Sequence, residues 1–298
     1  MSFDLDAYLA ARRRAVDEAL ERHLPPVTAM PPVVHDAMRY SVFAGGKRLR
    51  PILVIASAEA VGGRMVDVMP TACCFELIHT YSLIHDDLPA MDDDDFRRGR
   101  PTSHKAFGEA IAILAGDALL TQALGLVAVN AGLGKGPLEG FPRVLAEITE
   151  AAGTPGMIGG QVVDLQSEGK TVSAETLEYI HTHKTGALIR AAVRVGAILG
   201  GAGERELVDL TRYGERIGLA FQIVDDVLDL EGSLATLGKT PGSDRRKQKT
   251  TYLGVYGRDR SWARAHELVD EARTALAALG SGAEPLRALA EFVVSRRA

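Results

Sequence analysis

Apolar residues recur at helical spacing along almost the whole 298-residue chain. The pattern predicts helices over about 5–23, 32–44, 51–61, 67–91, 105–131, 138–152, 156–167, 174–200, 204–231, 245–256, 259–279 and 284–297. Turn-forming residues separate them: Pro25-Pro26, Gly45-Gly46, Gly62-Gly63, Gly99–Pro101, Gly132–Pro137, Gly200–Gly203 and Gly238–Ser243. Several helices are long and carry small residues that let neighbours approach closely. The expectation is an all-α protein built as one large helical bundle. The β-branched and aromatic runs of a sandwich or barrel are missing, and aromatics make up only 5%.

Composition narrows this picture. With 46% hydrophobic and 24% charged residues there is material for one large core. No linker or compositional break appears, so residues 1–298 are read as a single domain. The net charge of −5 excludes the electrostatic footprint of a nucleic-acid binder. The longest apolar runs are interrupted, by Asp117 within 110–129 and by Arg190 and Arg194 within 186–201. They are expected to be buried helices bearing a functional or surface-facing charge, not membrane spans. The N-terminal segment mixes both charge signs and lacks the apolar core of a signal peptide. Cys73 and Cys74 are adjacent and would point apart on a helix, which suits reduced, buried thiols and a cytoplasmic location.

Candidate chemistry gathers in two acidic clusters. Asp225, Asp226 and Asp229 stand at i, i+1 and i+4, so Asp225 and Asp229 share a helix face among Phe221, Ile223, Val224, Val227 and Leu228. Carboxylates in apolar company need positive compensation, and oxygen-only ligands favour magnesium shared with phosphates. Asp86, Asp87 and Asp92, followed by Asp93–Asp95, close another apolar helical run that Pro89 bends or ends. The two segments, 80–95 and 220–232, resemble one another, either as a faint duplication or as two uses of one chemical solution. A calcium-binding EF-hand fails for want of the central glycine and terminal glutamate.

Basic residues complement the acids. Gly45-Gly46-Lys47-Arg48-Leu49-Arg50-Pro51 is a glycine turn delivering Lys47 and Arg50 at a helix start, where anions are favoured. Arg97 and Arg98 follow the first acid cluster, Lys184 and Thr185 sit in HTHKTGALIR, and Lys239 and Lys249 belong to a basic loop segment. Walker spacing is absent. The set describes a cavity for two strongly anionic groups, one held through metals and one by Lys and Arg.

These residues resemble the trans-prenyl diphosphate synthases, specifically the bacterial farnesyl diphosphate synthase type. The likeness runs from about residue 30 to the C-terminus. It rests on GGKRLRP (45–51), SLIHDDLPAMDDDDFRRGRPTSH (82–104), GDALL (116–120), GGQVVDL (159–165), HKTGAL (183–188), FQIVDDVLD (221–229) and GKTPGSD with KTTY (238–252). The resemblance implies the isoprenoid synthase fold, with a central cavity lined by the two Asp-rich motifs. It implies condensation of isopentenyl diphosphate with allylic diphosphates, by a homodimer using three magnesium ions.

By the same resemblance, Asp86 and Asp92 share magnesium with the allylic diphosphate, with Asp87 in support. Asp225 leads the second ligand set, accompanied by Asp226 and Asp229. Arg97, Lys184 and Lys239 contact the allylic diphosphate, with Lys249 nearby. Lys47, Arg50, His79 and Arg98 form the isopentenyl diphosphate pocket. Lys184, Thr185 and Gln222 stabilise the allylic cation, and closure of 238–249 excludes water. Tyr81, about 7.5 Å along the helix from Asp86, with Ser82 beside it, forms the floor for the hydrocarbon tail and favours a fifteen-carbon product. The four-residue spacer 88–91 keeps geranylgeranyl diphosphate as the alternative. The basic C-terminus, VVSRRA, is placed over the isopentenyl pocket. Terpene cyclases and squalene synthases have similar acids but no use for GGKRLRP, and an inactive subunit would have lost one acidic motif.

Overall fold

The computed structural model describes residues 3–133, 140–231 and 250–295, with side chains in the second stretch to Leu228. Its helices are α1 (Leu5–His23), α2 (Pro32–Val42), α3 (Leu49–Ala60), α4 (Met65–Asp86), α5 (Ser103–Phe107), α6 (Glu109–Gly132), α7 (Gly140–Ala152), α8 (Met157–Ser167) and α9 (Ala174–Ile180), followed by α10 (Ala187–Gly200), α11 (Glu204–Glu231), α12 (Tyr252–Tyr256), α13 (Arg258–Ala275) and α14 (Glu284–Ser295). A π-turn, His181–Gly186, joins α9 to α10, and a 3-10 turn, Ser281–Ala283, precedes α14. Lys239, Lys249, the 238–249 loop, the side chain of Asp229 and the final residues 296–298 lie outside the described residues.

Burial follows the apolar pattern. α10 is buried on nearly every face, from Ala187 through Leu199, and α3 is buried continuously from Pro51 to Ala58. A helix apolar all round belongs at the centre of a bundle. The two pack together, with Gly196 pressed on the Val54 carbonyl. α4 and α11 flank them, α6 covers α4, and α13 covers α11. One contiguous apolar cluster runs from Val16 on α1 to Val293 on α14.

The charges that interrupt the apolar runs are accommodated as expected. Asp117 is exposed. Arg194 grips Glu147 of α7 at 2.8 and 2.6 Å. By length and composition α6 is the one described helix apolar enough to cross a bilayer. It packs along α4, with 39% of that apolar stretch buried, and Ile113, Leu114, Leu124 and Val129 remain exposed.

Three departures from the predicted elements have local causes. The helix predicted over 67–91 stops at Asp86, ahead of Pro89, because a proline ring excludes helical backbone before it. The 105–131 helix is divided at Gly108, whose φ is 83°. The 174–200 helix contains the π-turn, whose wider loop shifts register by one residue. A short hairpin, β1 (Phe96–Arg97) with β2 (Arg100–Pro101), was not predicted. Its two-residue turn, Arg98-Gly99, has φ of 53° and 74°, the positive pair that a tight hairpin needs.

α4 contains Pro70 in its interior. Proline has no N–H and crowds the carbonyl one turn back. Asn130 of α6 repairs the gap: its Oδ1 accepts from Thr71 N at 3.1 Å, and its Nδ2 donates to Asp67 O at 2.8 Å. The side-chain amide stands where the next backbone bond would be.

Candidate active site

α4 ends at the first acid cluster. Asp86 is its last residue, and the chain folds back so that Asp92 N donates to Asp86 O at 2.8 Å. Gln161 of α8 donates to Asp86 Oδ1 at 2.5 Å, and Lys184 Nζ stands 3.9 Å from Oδ2. Asp87 is buried and turned toward the hairpin, where Arg97 holds it with Nε at 2.7 and 2.9 Å from its two oxygens. Burial pushes the Asp87 carboxyl up to about 6, against the opposing pull of Arg97. The acids that follow brace the loop: Asp94 lies 3.6 Å from Arg97, and Asp95 pairs with Lys105 at 2.8 Å.

The second cluster divides the same way. Asp225 lines the cavity, accepting from Gln222 Nε2 at 3.4 Å. Asp226 accepts from the backbone N–H of Tyr252 at 2.7 Å and lies 3.4 Å from His181 Nε2. It ties α11 to the start of α12 and to the π-turn. The π-turn in turn presents Lys184, which donates to Asp164 of α8 at 2.8 Å, and Thr185, which lines the cavity. α8 comes this close because residue 160 is glycine: a Cβ there would stand 2.2 Å from Lys184 N.

Between these walls lies a cavity of about 480 Å³. Lys47, Arg48, Arg50, His79, Arg97 and Arg98 line one part, and Thr185, Gln222 and Asp225 another. Arg50 Nε is buried without a hydrogen-bond partner, a cationic donor left for an anion. Burial lowers the Arg50 and Arg98 pKa values. It depresses His79 well below the ordinary imidazole value, and Arg50 and Arg98 add to the effect. His79 is therefore neutral, with one N–H to donate. A larger groove of about 870 Å³ between α11 and α13 holds none of the predicted site residues; its charges pair across it, as Arg216 does with Glu271 at 2.6 Å.

The predicted residues thus separate into two groups. Lys47, Arg50, His79, Arg97, Arg98, Thr185, Gln222 and Asp225 share the cavity, while Asp86, outside that lining, stands 3.9 Å from Lys184 Nζ. Asp87 and Asp226, expected among the metal ligands, are bonded to Arg97 and to Tyr252 N, on the side away from their helix neighbours, which point about 100° apart. Ser82 donates to its own helix at His79 O, 2.9 Å. Gln161 and Asp164 were legible only as part of GGQVVDL; their spacing of three puts both on one face of α8, toward Asp86 and Lys184. Among the described residues no three His, Cys, Asp or Glu side chains are grouped closely enough to hold a metal alone. The oxygen-only acids on two separate elements beside a cationic cavity fit magnesium shared with a diphosphate.

The polyprenyl synthetase family pattern covers residues 31–278. A geranylgeranyl diphosphate synthase of Cyanophora paradoxa is 47% identical over 296 residues, spanning 99% of this chain and 97% of that protein. A dimethylallyltranstransferase of Fischerella ambigua is 48% identical, over 99% and 84% of the two chains. The crystal structure of a Zymomonas mobilis FPP/GFPP synthase superposes with a TM-score of 0.87 at 35% identity, covering 98% and 99%. Plant relatives from Catharanthus roseus and Arabidopsis thaliana, 46 and 47% identical, are named geranylgeranyl pyrophosphate synthases. By that pattern and these relatives, the chain belongs to the polyprenyl synthetase family.

Proposed function

We propose that the enzyme joins isopentenyl diphosphate to an allylic diphosphate, head to tail, in the cavity between α4 and α11. The observation that carries this reading is the buried, unpartnered Arg50 Nε beside Lys47, His79 and Arg98, in a cavity whose opposite wall presents Asp225. A synthase needs two anion sites in one chamber; an enzyme that only ionises one diphosphate needs one.

The residues divide the work. Lys47, Arg50, Arg98 and the neutral His79 hold the isopentenyl diphosphate. Asp86, Asp92 and Asp225 would hold magnesium, which supplies positive charge to the leaving pyrophosphate when bound. Lys184 adds a cation at the same end. The allylic C–O bond breaks, the isopentenyl double bond attacks the allylic carbon, and a proton leaves to the released pyrophosphate. The Thr185 and Gln222 dipoles face the developing cation, where fixed dipoles are most effective. Leu83 and Phe221, also on the lining, help keep water out.

For chain length we give the local residue more weight than overall identity, since a few tunnel residues set length while identity averages over the whole chain. Tyr81 is 6% exposed, edge-on to His85 with ring centres 5.7 Å apart, and its hydroxyl is buried without a partner. Such a ring suits the end of an apolar tunnel, and farnesyl diphosphate is the proposed product. Geranylgeranyl diphosphate is the second reading, and the relatives' names favour it. Chromatography of products made from isopentenyl diphosphate with each of the three shorter allylic starters decides: fifteen carbons support Tyr81 as floor, twenty support the relatives, and no consumption of isopentenyl diphosphate ends the proposal. Tyr81→Ala is expected to lengthen the product mix; an unchanged product would remove Tyr81 from the tunnel. A homodimer through the exposed apolar face of α6 is proposed as well, to be checked by sedimentation, with Leu114→Glu expected to weaken it.

A further inference from the structure

The anion pocket contains an acid that the reaction does not use. Glu76 lies one helical turn before His79 on α4, is 2% exposed, and lines the cavity. The lining includes the cations Lys47, Arg48, Arg50, Arg97 and Arg98 but, as acids, only Glu76 and Asp225 among the described residues. A buried carboxylate repels an incoming diphosphate, so its presence requires some compensating role.

Its partner shows what that role is. Arg48 NH1 meets Glu76 Oε1 at 2.7 Å, while Arg48 Nε reaches Asp17 of α1 at 2.8 Å and NH2 reaches Val42 O of α2 at 2.7 Å. The backbone of Arg48 caps α3 in the left-handed region, at φ 52° and ψ 35°. That conformation is strained for a residue with a Cβ and persists only when its surroundings enforce it. The left-handed turn sends Arg48 into the core, 3% exposed, and leaves Lys47 at the exposed mouth, with Arg50 on the lining. Glu76 is also the acid that acts most strongly on Arg50, ahead of Asp225.

We propose that the Arg48–Glu76 ion pair is the positioning element of the isopentenyl diphosphate pocket, a reading that rests on the function proposed above. Glu76 anchors Arg48, Arg48 enforces the turn that places Lys47 and Arg50, and the same carboxylate balances Arg50 until a diphosphate arrives. Neither residue touches the reacting atoms.

The test uses the full-length enzyme with three variants: Glu76→Gln, Arg48→Lys, and the double variant Arg48→Met/Glu76→Met. Replacing both members of a buried pair by apolar residues of similar size commonly preserves stability. The double variant should therefore keep its Tm yet raise KM for isopentenyl diphosphate about tenfold or more, a typical consequence of a misplaced binding group. The allylic KM and kcat should stay within about twofold, and inorganic pyrophosphate binding, followed by calorimetry, should weaken by the same factor. Arg48→Lys, which keeps charge but loses the fork, should lie between. A double variant with normal KM and normal pyrophosphate affinity makes the pair merely structural and overturns the proposal, as does an unchanged KM in Glu76→Gln. If both Glu76 variants lose the fold, Arg48→Lys decides by the same readouts. A wild-type enzyme that ignores isopentenyl diphosphate refutes the function instead, and pyrophosphate binding then still tests the pair.

Discussion

The two acidic clusters look alike in sequence and differ in how the fold uses them. α4 stops at Asp86, so the first cluster continues as a loop braced by the hairpin, and the spare acid Asp87 is held by a guanidinium. α11 runs on to Glu231, so the second stays on a helix wall, and its spare acid Asp226 is held by a backbone N–H. In each pair the second carboxylate is bonded to a neighbouring element, Asp87 to Arg97 and Asp226 to the backbone of Tyr252. A doubled aspartate thus sends its two carboxylates different ways, because consecutive helical side chains diverge by about 100°.

The largest effect should come from Asp86 and Asp225, the proposed metal-holding members. Asp86→Ala and Asp225→Ala are each expected to lower kcat/KM about a thousandfold with helical content unchanged, since each removes charge stabilisation from the leaving group. Near-normal turnover by either, measured with labelled isopentenyl diphosphate, would break the symmetry between the walls. The anchors should matter less: Asp87→Asn and Asp226→Asn are expected to lose about 10- to 100-fold, as outer-shell partners do. An Asp226 variant as inactive as the Asp225 variant would support Asp226 as a metal ligand.

A smaller effect separates the helices themselves. α4 needs the Asn130 splint at Pro70, so Asn130→Ala should destabilise the protein by about 2 kcal/mol by leaving Thr71 N and Asp67 O unpaired, read as a lower denaturant midpoint. Last comes His79. Its pKa is depressed in the fold, so the unfolded chain binds the extra proton first and stability falls as pH drops below about 6.5. His79→Gln should flatten that acid limb in denaturant titrations.

Much of this was readable beforehand, and the omissions share a cause. The helices, the two clusters and the basic turn are visible because periodicity and local charge are properties of neighbouring residues. The partners of Asp87 and Asp226 are not, because Arg97 and Tyr252 are ten and 26 residues away from them. The π-turn was missed because HTHKTG retains helical spacing on both sides, and its register shift appears only once α8 packs against Lys184. The hairpin was missed because four residues are too few to alternate. Glu76 and Arg48 read as ordinary helix and turn residues until burial brought them to 2.7 Å.

The amide of Asn130 has a consequence for alignment. A helix relieved of a rung by proline is free to twist there, and slipping it by a single residue would rotate its far end about 100° and advance it 1.5 Å. That would carry His79 and Asp86 off their targets together. Because the missing rung is supplied by α6, the two helices are indexed to one another like meshed gears, and the acid at the tip of α4 keeps its bearing through a contact four turns away.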